Sequence, residues 1–70
     1  MNKYYRNQKA TFICNGQTVE NGIISSVTKL NPLFGEPSYD LVVRTGEQNH
    51  IYKHIKESDI LEITGKGDLS

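Results

Sequence analysis

The feature that most constrains this chain is an alternation, between Lys9 and Thr64, of short β-prone runs and turn residues. About five runs rich in β-branched and aromatic residues fit within the 70 residues of the sequence. Short strands at this spacing are typical of a small all-β barrel or an open roll. A barrel of this size has no deep cleft of its own, so the sequence predicts a protein whose function is to bind something.

The β-prone runs predict where the strands lie. Five antiparallel strands are expected at residues 10–14, 18–30, 39–44, 50–55 and 60–64. Successive side chains of a strand point to opposite faces, so Ala10, Phe12 and Cys14 share one face of the first strand. The third strand has the clearest alternation, with Tyr39 and Leu41 on one face.

Val43 continues that face of the third strand, whereas Asp40 and Arg44 lie on the other face. In the fourth strand, Ile51 and Ile55 are expected to point toward the core.

Turn residues separate the strands. Asn15-Gly16 predicts a type I′ hairpin turn, because both residues tolerate positive φ. Asn21-Gly22 interrupts the second run and predicts a bulge where a strand of a small barrel must curl. Residues 31–38 contain two prolines and one glycine, and this content of breakers predicts a loop instead of strand. Residues 56–59 predict one helical or 3₁₀ turn before the last strand.

The chain divides into three parts. Residues 1–8 are polar, basic and aromatic without a clear period, and are expected to form an N-terminal arm. Residues 9–64 form the barrel, and residues 65–70 form a polar tail that is expected to fray. Because the chain starts with methionine, we expect a complete small reading frame with one domain.

The charge of the chain is balanced overall but unevenly spread. Eight basic and eight acidic side chains give a formal net charge of zero. A free-standing nucleic-acid binder is more often clearly basic, because phosphate contacts supply most of its affinity. Residues 1–35 nevertheless carry four basic residues against Glu20 alone, so the first half of the chain is the basic half.

The single cysteine, Cys14, excludes an internal disulfide, which is the usual staple of small secreted domains. No charged start followed by an apolar run indicates a signal peptide, and no apolar run is long enough for a transmembrane helix. We therefore expect a cytoplasmic protein without a membrane partner.

The order of the predicted elements is similar to that of the SH3-like barrels. The resemblance rests on the segments GIISSV at 22–27, YDLVV at 39–43 and IKESDI at 55–60. In those families a strand of the form glycine, any residue, aliphatic, two residues, aliphatic is common, and so is a short acidic turn closed by Asp-aliphatic. The chain most resembles the small stand-alone SH3-like proteins of bacteria and their phages. That resemblance implies a single small barrel of about five strands.

The segment at residues 31–38 carries the main indication of a contact surface. Leu33 and Phe34 stand where polar residues are expected at a loop tip, and prolines reduce the entropy lost on ordering. Because buried aromatic residues dominate interface energies, we predict a partner-binding surface made of Pro32, Leu33, Phe34, Pro37 and the neighbouring Tyr39. The alternative is that Phe34 folds back and plugs one end of the barrel, and the burial of its ring decides between the two.

The N-terminal arm is a second candidate surface. It mixes cations with aromatic rings, a combination that suits nucleic acid, where bases stack on rings and cations pair with phosphates. The residues concerned are Lys3, Tyr4, Tyr5, Arg6 and Lys9. The alternative is that Tyr4 and Tyr5 cover an open end of the barrel while the charged groups stay in solvent.

The histidines do not predict a metal site. His50 and His54 are four residues apart in a predicted strand, which separates them by roughly 13 Å, too far to share one ion. Ser25, Ser26 and Cys14 show no spacing that would bring a nucleophile to a base. We therefore expect no metal, no cofactor and no catalytic residues.

Together these observations predict a non-enzymatic module that binds another protein. The resemblance suggests that it is a phage- or prophage-encoded modulator of a host protein. Nucleic-acid binding through the basic and aromatic arm is the alternative function. Exposed edge strands of an incompletely closed barrel also invite pairing with a second copy, so a homodimer is a further expectation.

Overall fold

The computed structural model describes residues 2–67, and its strands form one antiparallel sheet. The strands are β1 (Gln8–Cys14), β2 (Gln17–Asn31), β3 (Glu36–Thr45), β4 (Gln48–Lys56) and β5 (Ile60–Lys66), and a 3₁₀ turn (Glu57–Asp59) precedes the last strand. Their order in the sheet is β4-β3-β2-β1-β5. The prediction of an all-β fold of five antiparallel strands with one short helical turn is confirmed. The elements follow one another in the order predicted from the sequence.

Residues that accept positive φ form the turn and the bulge that the sequence predicts. Asn15 and Gly16 have φ values of 52° and 78° and connect β1 to β2. At the second site, Asn21 has a φ of 63°. There β2 places two residues opposite one residue of β1, which is the predicted bulge.

Gly22 allows the sheet to curl tightly around the core. A Cβ atom at this position would lie 2.4 Å from Cε1 of Phe12 and 3.1 Å from Cδ2 of Leu41. Neither side chain can move away easily, because both are fully buried. The backbone of β2 therefore approaches the core more closely than any residue with a side chain would permit.

The core lies on the concave face of the curled sheet. Its buried side chains are Ala10, Phe12, Ile24, Tyr39, Leu41, Ile55 and Ile60. Cys14 of β1 and Val43 of β3 pack against this cluster. The core-facing sides predicted for the first and third strands are therefore correct. Strands β1 and β4 are not neighbours in the sheet, but the rings of Phe12 and Tyr52 meet edge to face with centroids 5.2 Å apart. This contact draws the two halves of the sheet together.

One predicted core residue is wrong. Ile51 is 61% exposed, whereas Tyr52 packs against the core. The reason is a bulge in β4: Leu41 pairs with Tyr52 and Tyr39 pairs with Ile55, so β4 has one more residue than β3 between the two pairs. The extra residue breaks strict alternation and places Tyr52 and Ile55 on the same face.

The strands are longer than predicted around the second hairpin. β2 continues to Asn31 and β3 begins at Glu36, so the predicted loop at 31–38 is reduced to 32–35. Pro37 lies within β3, at a place where the β2–β3 register shifts. A proline is tolerated there because a ladder irregularity does not require its missing N–H.

The ends of the barrel also extend beyond the predicted limits. β1 begins at Gln8, which pairs with Lys66 near the end of β5. The predicted tail therefore starts after Lys66, and its last residues, 68–70, lie outside the described part of the chain.

Candidate functional site

The connection between β2 and β3 is held in place by Asn31. The side-chain Oδ1 of Asn31 accepts a hydrogen bond from the N–H of Leu33 at 3.0 Å. Its backbone carbonyl oxygen accepts from the N–H groups of Phe34, at 3.0 Å, and Gly35, at 2.8 Å. One residue thus satisfies three successive amides of the turn, which keeps the turn in a single conformation.

Asn31 is itself fixed by burial. It is only 5% exposed, and its Nδ2 donates to Oγ of the fully buried Ser38 at 3.2 Å. Because Ser38 belongs to β3 and Asn31 ends β2, this bond ties the two strands together directly below the turn. The turn is therefore a rigid extension of the sheet.

Apolar side chains project from this rigid base. Leu33 is 86% exposed, Leu30 is 64% exposed and Phe34 is 39% exposed. We call residues 30–34 the hairpin tip. Phe34 is too exposed to plug the end of the barrel, so the structure does not support that alternative. Pro32 is also exposed, whereas Pro37 is half-buried within β3.

Lysines flank the hairpin tip. The Nζ atom of Lys56 lies 5.8 Å from the centroid of the Phe34 ring, a cation–π distance. Lys29 directly precedes Leu30 and is exposed. The nearest acidic residue in sequence, Glu36, uses its Oε1 to accept a hydrogen bond from the Ser58 N–H at 2.9 Å. The tip is therefore apolar, with Lys29 and Lys56 beside it and the carboxylate of Glu36 at the start of β3.

The prediction that Tyr39 belongs to the contact surface is wrong. Tyr39 is fully buried, and its hydroxyl group donates to Oε2 of Glu57 at 2.7 Å. Tyr39 lies with Leu41 in the core, on the face that alternation along the third strand predicts for both residues.

The N-terminal arm is bound to the barrel at this same hydroxyl group. The Tyr4 N–H donates to the Tyr39 hydroxyl oxygen at 3.2 Å, and the Lys3 N–H donates to Oε2 of Glu57 at 2.9 Å. The ring of Tyr4 meets the ring of Tyr39 edge to face, with centroids 5.6 Å apart. Tyr4 thus covers the end of the core, while Tyr5 is 61% exposed and covers nothing.

The two side chains that anchor the arm have shifted acidities. Burial, followed by the hydrogen bond to Glu57, raises the pKa of Tyr39 from 10.0 to about 12. Burial alone would raise the pKa of Glu57, but hydrogen bonds from the Lys3 N–H and the Tyr39 hydroxyl, with the Lys3 charge, lower it overall. At neutral pH, Tyr39 is therefore a neutral donor and Glu57 a charged acceptor, which is the stronger type of hydrogen bond.

The far end of the arm is held as well. The Asn7 N–H donates to the carbonyl of Ile24 at 2.8 Å, and the carbonyl of Asn7 accepts from the Gly67 N–H at 2.7 Å. The side chains of Lys3, Tyr5 and Arg6 in the arm are exposed, and Lys9, which follows the arm in β1, is half-buried. The arm is therefore fixed backbone with a few free side chains.

Sequence reasoning missed Asn31, the residue that shapes the hairpin tip. A signal for it exists in the sequence, because Asn followed by Pro begins turns in which the Asn side chain bonds the backbone two residues on. What the sequence does not show is that Asn31 is buried, since that depends on Ser38 across the hairpin.

Other kinds of site are not found within residues 2–67. No group of three or more histidine, cysteine, aspartate or glutamate residues lies close enough to hold a metal ion, and no pocket is found. In that same range, no helix has the length and apolar character needed to cross a membrane. Comparisons with family models, with curated proteins and with solved structures found no match for this chain.

Proposed function

We propose that this protein is a non-enzymatic interaction module that binds another protein through the hairpin tip. The observation that carries the proposal is the contrast between Leu33, 86% exposed, and its buried base, Asn31. An exposed apolar side chain held by a rigid turn loses little conformational entropy on binding, because the turn is already ordered. Aromatic and aliphatic anchors of this kind contribute most of the energy of protein interfaces.

The chemistry of the tip defines the partner. Leu30, Leu33 and Phe34 fit an apolar groove, because burying them removes their surface from water. Lys29 and Lys56 at the border fit carboxylates at the rim of that groove, which would guide association and select the partner. We therefore propose a protein partner with an apolar groove and an acidic rim.

The test compares matched variants in an affinity capture. The natural protein, the double variant Leu33→Ser/Phe34→Ser and the control Leu61→Ser are immobilised and exposed to a nuclease-treated bacterial lysate. Leu61 is also an exposed aliphatic residue, but it lies in β5 and is not part of the hairpin tip. We expect a protein that the natural chain and the control retain, and that the double variant loses. Equal retention by all three variants would contradict the proposal.

Charge reversal tests the acidic rim. Lys29→Glu and Lys56→Glu, with Lys66→Glu as the control on β5, are compared for binding to the partner at two salt concentrations. We expect the first two variants to weaken binding by about tenfold and to reduce its salt dependence. The control should behave like the natural chain. If all three variants bind equally well, the partner's rim is not acidic.

Nucleic-acid binding is the second candidate, and the exposure of Lys3, Tyr5 and Arg6 favours it. Tyr4 is not free to stack on a base, since its ring packs on Tyr39. A gel-shift titration against single-stranded DNA and RNA, repeated at rising salt, tests this function. Affinity that falls steeply with salt and disappears in Tyr5→Ala/Arg6→Ala would support it, whereas no shift at low salt would exclude it.

A further inference from the structure

The two outer strands of the sheet differ in how well they could accept another strand. β4 and β5 are the ends of the order β4-β3-β2-β1-β5, and their outer edges have no partner within the described residues. β5 is interrupted twice, because its pairing with β1 shifts register between Lys9 and Ala10 and between Thr11 and Phe12. Bulges twist an edge away from further pairing. The regular part of β4 is therefore the more open edge.

The register of the β3–β4 hairpin shows which backbone groups face that edge. Thr45 pairs with Gln48 across a two-residue turn, and such a closing pair exchanges both of its hydrogen bonds. Hydrogen-bonded pairs alternate along an antiparallel ladder. His50 and Tyr52 therefore bond to β3 as Gln48 does. The N–H and C=O groups of Asn49 and Ile51 therefore point outward to the free edge, and alternation past Tyr52 puts those of Lys53 on the same side.

Those outward residues are Asn49, Ile51 and Lys53, and the free segment ends directly after them. His54 has a φ of 58° and marks the bulge of β4. Its N–H is already occupied, since it donates to Oδ1 of Asp40 at 3.0 Å. The open edge is thus a short regular segment with Ile51 at its centre.

Ile51 also ends a row of aliphatic side chains on the convex face of the sheet. Ile23 pairs with Val42, and Val42 pairs with Ile51, so the three side chains lie side by side on one face. Ile23 is buried, Val42 is half-buried and Ile51 is largely exposed. The row becomes more exposed toward the edge, where a neighbouring strand would continue it.

From these placements we infer that β4 pairs antiparallel with β4 of a second copy, around a two-fold axis at Ile51. In this register Ile51 faces Ile51 of the second copy, and Asn49 faces Lys53 at both ends. All three outward residues then find partners, with about six backbone hydrogen bonds in total. No like charges lie opposite each other. The two sheets become one, and the aliphatic rows join across the axis.

The surface is self-complementary in this register, because Ile51 faces Ile51 and Asn49 faces Lys53 at both ends. It is also small. A segment of this length buries less than a standard interface, so we expect a dissociation constant on the order of 100 μM. The inference does not depend on the proposed function, since the hairpin tip lies outside this segment.

Sedimentation equilibrium from about 10 μM to 1 mM tests the dimer. We expect the mass to rise from one chain toward two, and Ile51→Lys to weaken association by about tenfold or more through two facing lysines. The control Leu61→Lys on β5 should associate like the natural chain. A single-chain mass at every concentration would overturn the inference. So would association that Leu33→Ser/Phe34→Ser abolishes, since this would place the contact at the hairpin tip.

Cross-linking tests the register and does not rely on the lysine variant. In a Cys14→Ala background, Ile51→Cys places two thiols across the axis, where facing Cα atoms are about 5.5 Å apart. Asn49→Cys places them roughly 14 Å apart. A short thiol-reactive cross-linker should join Ile51→Cys chains and leave Asn49→Cys chains as monomers. The opposite result, or equal cross-linking of both, would overturn the register.

Discussion

The hairpin tip and the N-terminal arm both place aromatic residues beside cations, yet the fold uses them in opposite ways. In the arm, Tyr4 packs on the ring of Tyr39, and the backbone is bonded to Glu57. At the tip, Phe34 and Leu33 remain exposed above a buried asparagine. The arm contributes its aromatic ring to the stability of the barrel. The tip contributes nothing comparable, so its apolar surface is free for a partner.

This difference teaches how to interpret aromatic residues in a small barrel. In both places a buried polar group satisfies backbone amides, but in the arm that group belongs to a ring on which the aromatic side chain packs. The Tyr39 hydroxyl supplies that group for the arm. At the tip, Asn31 satisfies the backbone amides, and the side chains stay outside. Hydrogen bonds hold both segments in place, and packing on the Tyr39 ring is what separates the aromatic residue of the arm from that of the tip.

The largest expected effect contrasts one aromatic residue from each side of this comparison. Tyr39→Ala should lower the free energy of unfolding by about 3–5 kcal/mol, because a fully buried ring leaves a cavity. Phe34→Ala should lower it by less than about 1 kcal/mol, since the ring is partly in solvent. Urea unfolding followed by circular dichroism measures both. Tyr39→Phe keeps the ring and serves as a folded control. Similar losses in the free energy of unfolding for Phe34→Ala and Tyr39→Ala would contradict this prediction.

The next largest effect is expected at Asn31, the base of the hairpin tip. Asn31→Ala should cost about 1–3 kcal/mol, because the Leu33 N–H and the Ser38 hydroxyl group lose their partner. Hydrogen exchange at the Leu33 amide should accelerate, which reports the loosened turn directly. Asn49→Ala, at an exposed asparagine, is the control and should change stability by less than about 0.5 kcal/mol. If Leu33 exchanges at its original rate in Asn31→Ala, the turn is not built on Asn31.

Two consecutive tyrosines give a sharper test of the arm. Tyr4→Ala should cost about 1–2 kcal/mol, because it removes an edge-to-face contact and uncovers the end of the core. Tyr5→Ala should cost less than about 0.5 kcal/mol, since its ring is exposed. Thermal unfolding of the two variants measures the difference. Equal melting temperatures would mean that Tyr4 does not anchor the arm in solution.

The smallest effect concerns the carboxylate that holds the arm. Glu57→Gln should cost about 1 kcal/mol at neutral pH, since a charged acceptor is replaced by a neutral one. The fold lowers the pKa of Glu57, so its contribution is complete above the ordinary carboxyl pKa. That contribution is lost as the pH falls through the lowered value. Unfolding curves at several acidic pH values should therefore converge for the natural chain and the variant.

At alkaline pH, the dependence of stability on pH has the opposite sign. The fold raises the pKa of Tyr39 from 10.0 to about 12, so folding favours the neutral hydroxyl group. The associated stability is complete below pH 10.0 and is lost as the pH rises toward about 12. Tyr39→Phe should remove this alkaline dependence. Stability of the natural chain that stays constant over this interval would contradict the buried hydrogen bond.

Local chemistry in the sequence predicts most of the framework. Asn15-Gly16 forms its turn because both residues accept positive φ, and Gly22 marks the bend. Alternation in the third strand places Tyr39 and Leu41 on the core face. These features depend on residues that are adjacent in the chain, so the sequence determined the number of strands, their order along the chain and the 3₁₀ turn.

Which side chains are left in solvent depends on contacts between residues that are far apart in the chain. A bulge in β4 puts Tyr52 instead of Ile51 on the core face. The hydrogen bond from Asn31 to Ser38 holds the asparagine buried beneath an exposed leucine. The arm and the 3₁₀ turn close over the Tyr39 hydroxyl group, a contact that alternation along the strand does not reveal. Each outcome depends on residues far apart in the chain. One extra residue in a strand, or one hydrogen bond across a hairpin, changes which face meets solvent, and local patterns do not record it.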